Sequence, residues 1–193
     1  QLSSVAAAGD SDAVGQRLDD WARARGLAPY DAAMTLLRNS KTNVSTVVFG
    51  MSEENLERFL AHPKAMICSD GGAFAVSGPA RSGHPHPRGL GTFPRVLGRY
   101  VRERKVLTLA QAIDKMSGMA ARRLRLAGRG KIAVGAAADL VVFDPATVMD
   151  RATFEDPFQY PAGIPTVVVN GVIALRDGER GEKGAGKVLR PSR

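Results

Sequence analysis

The most informative segment of the chain is AMICSDGG, residues 65–72. Its four leading apolar residues predict a short strand that is buried on both faces, as in a parallel sheet. The carboxylate of Asp70 follows these residues, just before a Gly-Gly turn. Catalytic side chains collect at the carboxyl ends of strands in α/β folds, although an Asp before Gly often bonds its own turn. Asp70 is therefore a candidate catalytic residue, with a turn role as the alternative.

The residues before this segment predict a second strand and a helix. Residues 43–49 are rich in β-branched side chains and end at Gly50, which indicates another buried strand. Ser52 suits a helix N-cap, with two glutamates in the first turn, where the helix dipole favours anions. A strand, helix and strand within residues 44–70 imply a right-handed parallel crossover. We therefore expect an α/β fold, as part of a barrel or an open sheet.

A long loop should follow, because glycine and proline recur from Ala73 to Thr92. Loops of this length tend to be functional. It contains His84-Pro85-His86-Pro87-Arg88, and two histidines so close together can bind a metal ion. The prolines are equally suited to fix the loop so that Arg88 points in one direction. We favour the second interpretation.

The remaining elements are helices first and strands later. Helices are predicted at residues 10–25, from Pro29 to about residue 38, at 94–103, from Thr108 to a stop at Gly118, and at 119–126. Strands are predicted at residues 132–135, 139–145 and 166–175, the last as a hairpin on Asn170-Gly171. We expect the segment from Arg176 onward to be irregular.

Composition narrows the class of protein. The chain has 193 residues, 44% of them hydrophobic, and a formal net charge of +8. No apolar run approaches the roughly 18 residues that a membrane span needs, so no membrane partner is expected. One cysteine, Cys68, excludes an internal disulfide and fits a reducing compartment, which predicts a cytoplasmic location. The first residues contain neither a Met nor a basic leader, which suggests a chain entered partway through.

The positive charge is concentrated in one place. The densest basic group consists of Arg122, Arg123, Arg125, Arg129 and Lys131. Such a group can contact nucleic acid, but it lacks interleaved aromatic residues and any recognised DNA-binding motif. A solvated basic face is the favoured interpretation, and no nucleic-acid partner is expected.

Four motifs in order give the chain a family resemblance. They are VFGMSE at 48–53, SDG at 69–71, HPR at 86–88 with GTFPRVLG at 91–98, and ADLVVFDP at 138–145, to which RATFEDP at 151–157 adds a branch-specific match. From about Ser11 to Leu189 the chain resembles the carboxyl-terminal part of the N-acyl-D-amino-acid deacylase, or D-aminoacylase, family of the amidohydrolase superfamily. The resemblance implies an incomplete (β/α)₈ barrel of the metal-dependent hydrolases, followed by strands of a small β-sandwich. Its expected boundaries are residues 1–131 for the partial barrel and residues 132–193 for the sandwich strands and tail.

The resemblance also implies a chemistry. The family hydrolyses linear amide bonds of N-acyl-D-amino acids, which are small molecules, with zinc as cofactor. Asp70 would contact the zinc ion and accept a proton from the metal-activated water. Arg88 would hold the substrate carboxylate with its planar fork, and Met51 would line the pocket for the substrate side chain.

The other zinc ligands of the family are expected to lie outside this chain. The isolated chain should then be inactive, and its protein partner would be the missing amino-terminal part of the barrel. Two alternatives stay open: a superfamily member that acts on cyclic amides, similar to dihydroorotase or hydantoinase, and a non-enzymatic basic module that binds nucleic acid or a protein through residues 122–131.

Overall fold

The computed structural model describes residues 1–181 and 184–191. The helices in this part of the chain are α1 (Leu18–Ala24), α2 (Pro29–Asn39), α3 (Glu53–Ala61), α4 (Arg88–Arg95), α5 (Leu109–Ile113) and α6 (Met119–Arg123). The strands are β1 (Leu2–Val5), β2 (Val44–Thr46), β3 (Leu140–Val142), β4 (Thr166–Val169), β5 (Val172–Arg176) and β6 (Glu179–Arg180). A 3₁₀ turn covers Ala8–Ala13, and π-helical turns cover Val96–Glu103 and Asp114–Gly118.

The chain divides into two compact units. Unit 1 comprises Gln1–Met51, Asp70–Leu90 and Ala152–Tyr160. Unit 2 comprises Ser52–Ser69, Gly91–Arg151 and Pro161–Arg193.

Unit 1 is built around the α1–α2 pair and a two-stranded sheet. Its core contains Leu2, Trp21 and Leu36, each 1–2% exposed. The predicted start of α2 is confirmed, because Pro29 lies in its first turn, where proline's missing N–H has no helical partner to lose. β1 and β2 pair antiparallel.

Unit 2 has a helical core and a four-stranded sheet. The core packs Leu60, Val96, Leu97, Tyr100 and Val148 together. Two predicted caps are confirmed. The Ser52 hydroxyl accepts a hydrogen bond from the Asn55 amide at the start of α3, and Thr108 with Gln111 forms a capping box at the start of α5.

The predicted helix stop at Gly118 is wrong. Gly118 has a helical φ of −61°, and a π-turn joins α5 to α6 through it. Arg122 forms two hydrogen bonds with Asp114, at 2.9 and 2.7 Å, which span this junction. Side-chain bonds across the glycine therefore favour a continuous helix over a cap.

The predicted hairpin of the sheet in unit 2 is confirmed. The order is β3-β4-β5-β6, with all neighbours antiparallel. Asn170 and Gly171 connect β4 to β5 with φ of +48° and +82°, the left-handed pair that a two-residue hairpin needs. The strand predicted at 132–135 does not form, and Ile132 and Val134 are exposed.

The predicted parallel crossover over residues 44–70 is not found. Residues 65–69, all of them described, form no strand, and only Ile67 among them is buried. β2 is three residues long and pairs antiparallel with β1. A strand buried on both faces needs hydrogen-bonded neighbours on each side, and the described residues do not supply them. Cys68, predicted to be packed, is exposed for the same reason.

The end of the long loop also differs from the prediction. α4 begins at Arg88, six residues before the predicted helix start at Pro94, and Pro94 lies inside it. No helix within the described residues is long and apolar enough to cross a membrane.

Candidate functional site

Asp70 lies in unit 1 with its backbone in a left-handed conformation. Its φ is +46°, in the left-handed region that Asp and Asn enter more easily than most other residues. Its side chain is 79% exposed. An exposed carboxylate can exchange partners at little desolvation cost, which a site for a charged ligand requires.

Arg88 contacts Asp70 through two atoms of its guanidinium. The Nη2 atom lies 2.8 Å from the Asp70 Oδ2 atom. The Nε atom donates a hydrogen bond of 3.0 Å to the Asp70 carbonyl. The structure therefore brings together two candidate site residues that are 18 positions apart in the sequence. The Asp70 carboxylate forms an ion pair with the Arg88 guanidinium.

The loop before Arg88 is held by its two histidines. The Nε2 atom of His84 lies 2.6 Å from the Phe154 carbonyl. The Nδ1 atom of His86 accepts a hydrogen bond of 3.0 Å from the Arg88 amide. One ring nitrogen of each histidine is thus engaged by the backbone, which supports the loop-fixing interpretation over a shared metal site.

An aromatic contact leaves no room for a side chain beside Arg88. A Cβ atom on Gly89 would lie 2.8 Å from the Phe74 ring, closer than carbon atoms pack. The Phe74 ring packs edge-on against Phe158, with 6.4 Å between centroids. The Arg81 guanidinium covers Phe158 at 4.3 Å. The loop before α4 is therefore packed by aromatic contacts, and a side chain at residue 89 would require the Phe74 ring to move.

Met51 is 67% exposed. Phe49, two residues earlier, is 52% exposed and lies against Phe154 with ring centroids 4.7 Å apart. The proximity of Phe49 and Phe154 could not be predicted from the sequence, because it depends on a contact between distant parts of the chain. Met51 is exposed, and its role in a substrate pocket stays a prediction.

The described residues do not form a metal site by themselves. Within residues 1–181 and 184–191, no three His, Cys, Asp or Glu side chains are placed to hold a metal ion. The Asp70 carboxylate is paired with Arg88. Since zinc is normally held by three or four protein ligands, one carboxylate does not suffice, and we assign no reaction step to a metal on this chain.

The basic group at residues 122–131 is partly committed to internal pairs. Arg122 donates hydrogen bonds to Asp114, and these bonds hold the pKa of Asp114 below its ordinary value. Arg129 is bonded to Asp139 and to the Asn170 side chain. The pKa of Asp139 is lowered, first by the Asn170 backbone N–H and then by Arg129. Guanidinium groups engaged in this way are less available to nucleic acid, which disfavours the binding-module alternative.

Relatives of known activity match most of the chain. It is 43% identical over 175 residues to a D-aminoacylase of Alcaligenes xylosoxydans xylosoxydans, covering 91% of this chain and 34% of that protein. An N-acyl-D-glutamate deacylase of the same organism is 49% identical over 125 residues, covering 65% of this chain and 24% of that protein. The chain thus spans about a third of the length of the D-aminoacylase.

Solved structures give the same family. A crystal structure of D-aminoacylase, described as defining a subset of amidohydrolases, superimposes with a TM-score of 0.84 at 38% identity, covering 98% of this chain and 38% of that chain. N-acyl-D-glutamate deacylase from Bordetella bronchiseptica, complexed with zinc and a phosphonate inhibitor, superimposes with a TM-score of 0.83 at 36% identity, covering 98% and 37%. The model of the amidohydrolase family matches residues 79–175, about half of the chain. The predicted resemblance is confirmed: this chain belongs to the amidohydrolase family.

Proposed function

We propose that the whole protein is a zinc-dependent hydrolase of linear C–N amide bonds, which converts N-acyl-D-amino acids to a D-amino acid and a carboxylate. The observation that carries this proposal is the contact between Asp70 and Arg88, at 2.8 Å. It puts a carboxylate that can take a proton beside a guanidinium that can hold a substrate carboxylate. The named relatives, which are deacylases of D-amino-acid derivatives, support the substrate class.

The chain would supply the carboxyl-terminal part of this enzyme. We propose that residues 1–131 belong to an incomplete (β/α)₈ barrel, and that residues 132–193 belong to a composite β-sandwich with a tail. β3 supports the second assignment. It lies at one edge of its sheet, and Leu140, Val141 and Val142 are each 37–55% exposed. Apolar side chains on an edge strand are usually covered by further structure.

Arg88 would bind the substrate carboxylate. Its planar fork can donate two parallel hydrogen bonds to a carboxylate, a geometry that lysine cannot offer. The same fork now holds Asp70, so the substrate carboxylate would share or replace this partner. Asp70 would accept a proton from the attacking water and later release it to the leaving amine. Met51 would line the pocket for the substrate side chain.

Zinc is proposed for the whole protein because the Bordetella relative is complexed with zinc. The described residues offer Asp70 and no further grouped ligands. The remaining ligands would therefore come from parts of the protein outside this chain, and the isolated chain is proposed to be inactive.

Replacement of Arg88 with methionine in the whole protein separates the proposed substrate class from cyclic amides. Methionine keeps much of the side-chain length and loses the charge. We expect kcat/KM for N-acetyl-D-leucine to fall by about 100-fold or more, since a charged hydrogen-bonded pair is lost. Hydrolysis of N-acetyl-D-leucinamide, which lacks the carboxylate, should change less than about threefold.

A matched control is Arg38→Met, which removes an exposed guanidinium from α2 of the same unit without touching Asp70. It should leave both substrates within about twofold of wild type. Equal losses for both substrates in Arg88→Met would contradict carboxylate binding by Arg88. Hydrolysis of a hydantoin or dihydroorotate in preference to N-acetyl-D-leucine would contradict the proposed substrate class.

A further inference from the structure

The chain contains the same local turn twice. In His62-Pro63-Lys64 and in His86-Pro87-Arg88, the histidine Nδ1 atom accepts the amide N–H of the residue two positions later, at 3.3 and 3.0 Å. Proline has no N–H, so the residue after it carries the first backbone donor of the turn. A side-chain acceptor two residues earlier satisfies that donor, as Asn and Asp do in other turns.

At residues 86–88 this turn begins a helix. Arg88 is the first residue of α4, and amides in the first turn of a helix have no partner inside it. The Nδ1 atom of His86 accepts the Arg88 amide, and the His86 carbonyl accepts the Gly89 amide at 3.1 Å. His86 therefore provides acceptors for the first two amides of α4.

The His86 ring packs against another aromatic ring. It packs edge-on against Phe154, with 4.9 Å between centroids and 73° between planes. The Phe154 carbonyl accepts a hydrogen bond of 2.9 Å from the Gln1 side chain and lies 2.6 Å from the His84 Nε2 atom. The Nδ1 atom that accepts the Arg88 amide thus belongs to a ring that packs against Phe154, and the Phe154 carbonyl is itself hydrogen-bonded.

We infer that His86 is a positioning residue for substrate recognition: its Nδ1 atom fixes the Arg88 backbone so that the guanidinium meets a substrate carboxylate. This inference rests on the proposed function of Arg88. The Arg88 side chain reaches the site from a backbone held by His86, so a free backbone would spread the guanidinium over many positions. Binding of the carboxylate would then weaken, while the chemical step would be preserved.

Two variants of the whole protein separate the acceptor from the ring. His86→Phe keeps an aromatic ring against Phe154 and removes Nδ1, whereas His86→Asn keeps an acceptor of similar reach and removes the ring. For N-acetyl-D-leucine we expect His86→Phe to raise KM by about fivefold with kcat within twofold, as for one lost hydrogen bond. His86→Asn should stay within about twofold, and neither should alter KM for N-acetyl-D-leucinamide.

The second histidine turn provides the matched control. His62→Phe removes the same bond from the Lys64 amide, and KM should stay at the wild-type value. In an Arg88→Met background, His86→Phe should have no further effect on KM, because the two residues act in series. A normal KM for His86→Phe, or a loss in His86→Asn alone, would show a packing role and overturn the inference. Absence of deacylation by the wild-type protein would instead contradict the proposed function.

Discussion

One charged pair of unit 1 and one buried cation of unit 2 are held in opposite ways. In unit 1, the Asp70 and Arg88 side chains are 79% and 45% exposed and are paired with each other. In unit 2, Lys115 is only 5% exposed, and its ammonium donates hydrogen bonds to the carbonyls of His62 and Ala65. The Lys115 carbonyl also accepts the Ile67 amide at 3.1 Å.

The difference separates groups that can change partners from groups that cannot. An exposed ion pair contributes less than about 1 kcal/mol to stability, so it can be exchanged for a ligand at little cost. A buried ammonium must keep its acceptors, because leaving it or them without partners costs several kcal/mol. We therefore expect substitutions in the Asp70–Arg88 pair to affect activity, and substitution of Lys115 to affect stability.

The largest expected effect is that of Asp70→Asn on activity. Asparagine tolerates the left-handed φ of +46° at this position, but it cannot accept a proton. In the whole protein, kcat for N-acetyl-D-leucine should fall by about 1,000-fold. The free energy of unfolding should change by less than about 0.5 kcal/mol, as is usual for an exposed side chain.

Asp177→Asn is the matched control for this comparison. Asp177 is also exposed, and its φ is +50°. Its substitution should leave kcat unchanged. More than about a tenth of wild-type activity in Asp70→Asn would contradict the role of Asp70 as proton acceptor.

Lys115→Met tests the other half of the comparison. Methionine preserves the apolar stem but leaves the His62 and Ala65 carbonyls without their donor. The free energy of unfolding, from urea titration followed by circular dichroism, should fall by about 3 kcal/mol. Lys64→Met, at an exposed lysine on the segment that Lys115 holds, should change it by less than about 0.5 kcal/mol. A stable Lys115→Met variant would show that the ammonium is not needed there.

The predictions are most accurate where structure depends on near neighbours. The caps at Ser52 and Thr108 and the hairpin at Asn170-Gly171 are all present as predicted. Each is specified by bonds between residues a few positions apart. The strands predicted at 65–68 and 132–135 are absent, since a strand requires partners that local sequence cannot supply.

The site could be predicted only in part for the same reason. The motifs select Asp70 and Arg88 as candidate site residues, and their roles stay predictions. Their contact depends on the ordered path of residues 74–89, which Phe74 and Phe158 fix by packing. The hydrogen bond of His86 has a pattern in the sequence, because a histidine followed by proline and then by lysine or arginine occurs twice. The pattern could be interpreted only from the structure, in which both turns form the same hydrogen bond.

A smaller effect on stability is expected at Glu53, whose exposure lies between that of Lys115 and that of Asp70. Its side chain is 39% exposed and accepts hydrogen bonds from Arg99 at 3.0 Å and from the Tyr100 hydroxyl at 3.1 Å. Partial burial alone would raise the pKa of Glu53, but these hydrogen bonds outweigh it, so that the pKa lies below its ordinary value. Glu53 should therefore contribute stability that is full above the unfolded pKa of about 4.5 and is lost as the pH falls through the lower folded pKa.

Glu53→Gln removes this contribution. At pH 7 the variant should be less stable than wild type by less than about 1 kcal/mol, because solvent screens a partly exposed pair. The difference should be smaller at about pH 3 than at pH 7, because the wild-type carboxylate takes up a proton as the pH falls through its lowered folded pKa. Urea titrations at both pH values measure it, with Glu54→Gln as the control for loss of a charge from the same helical turn. A difference that is unchanged between the two pH values would mean that Glu53 acts through its shape and hydrogen bonds rather than through its charge.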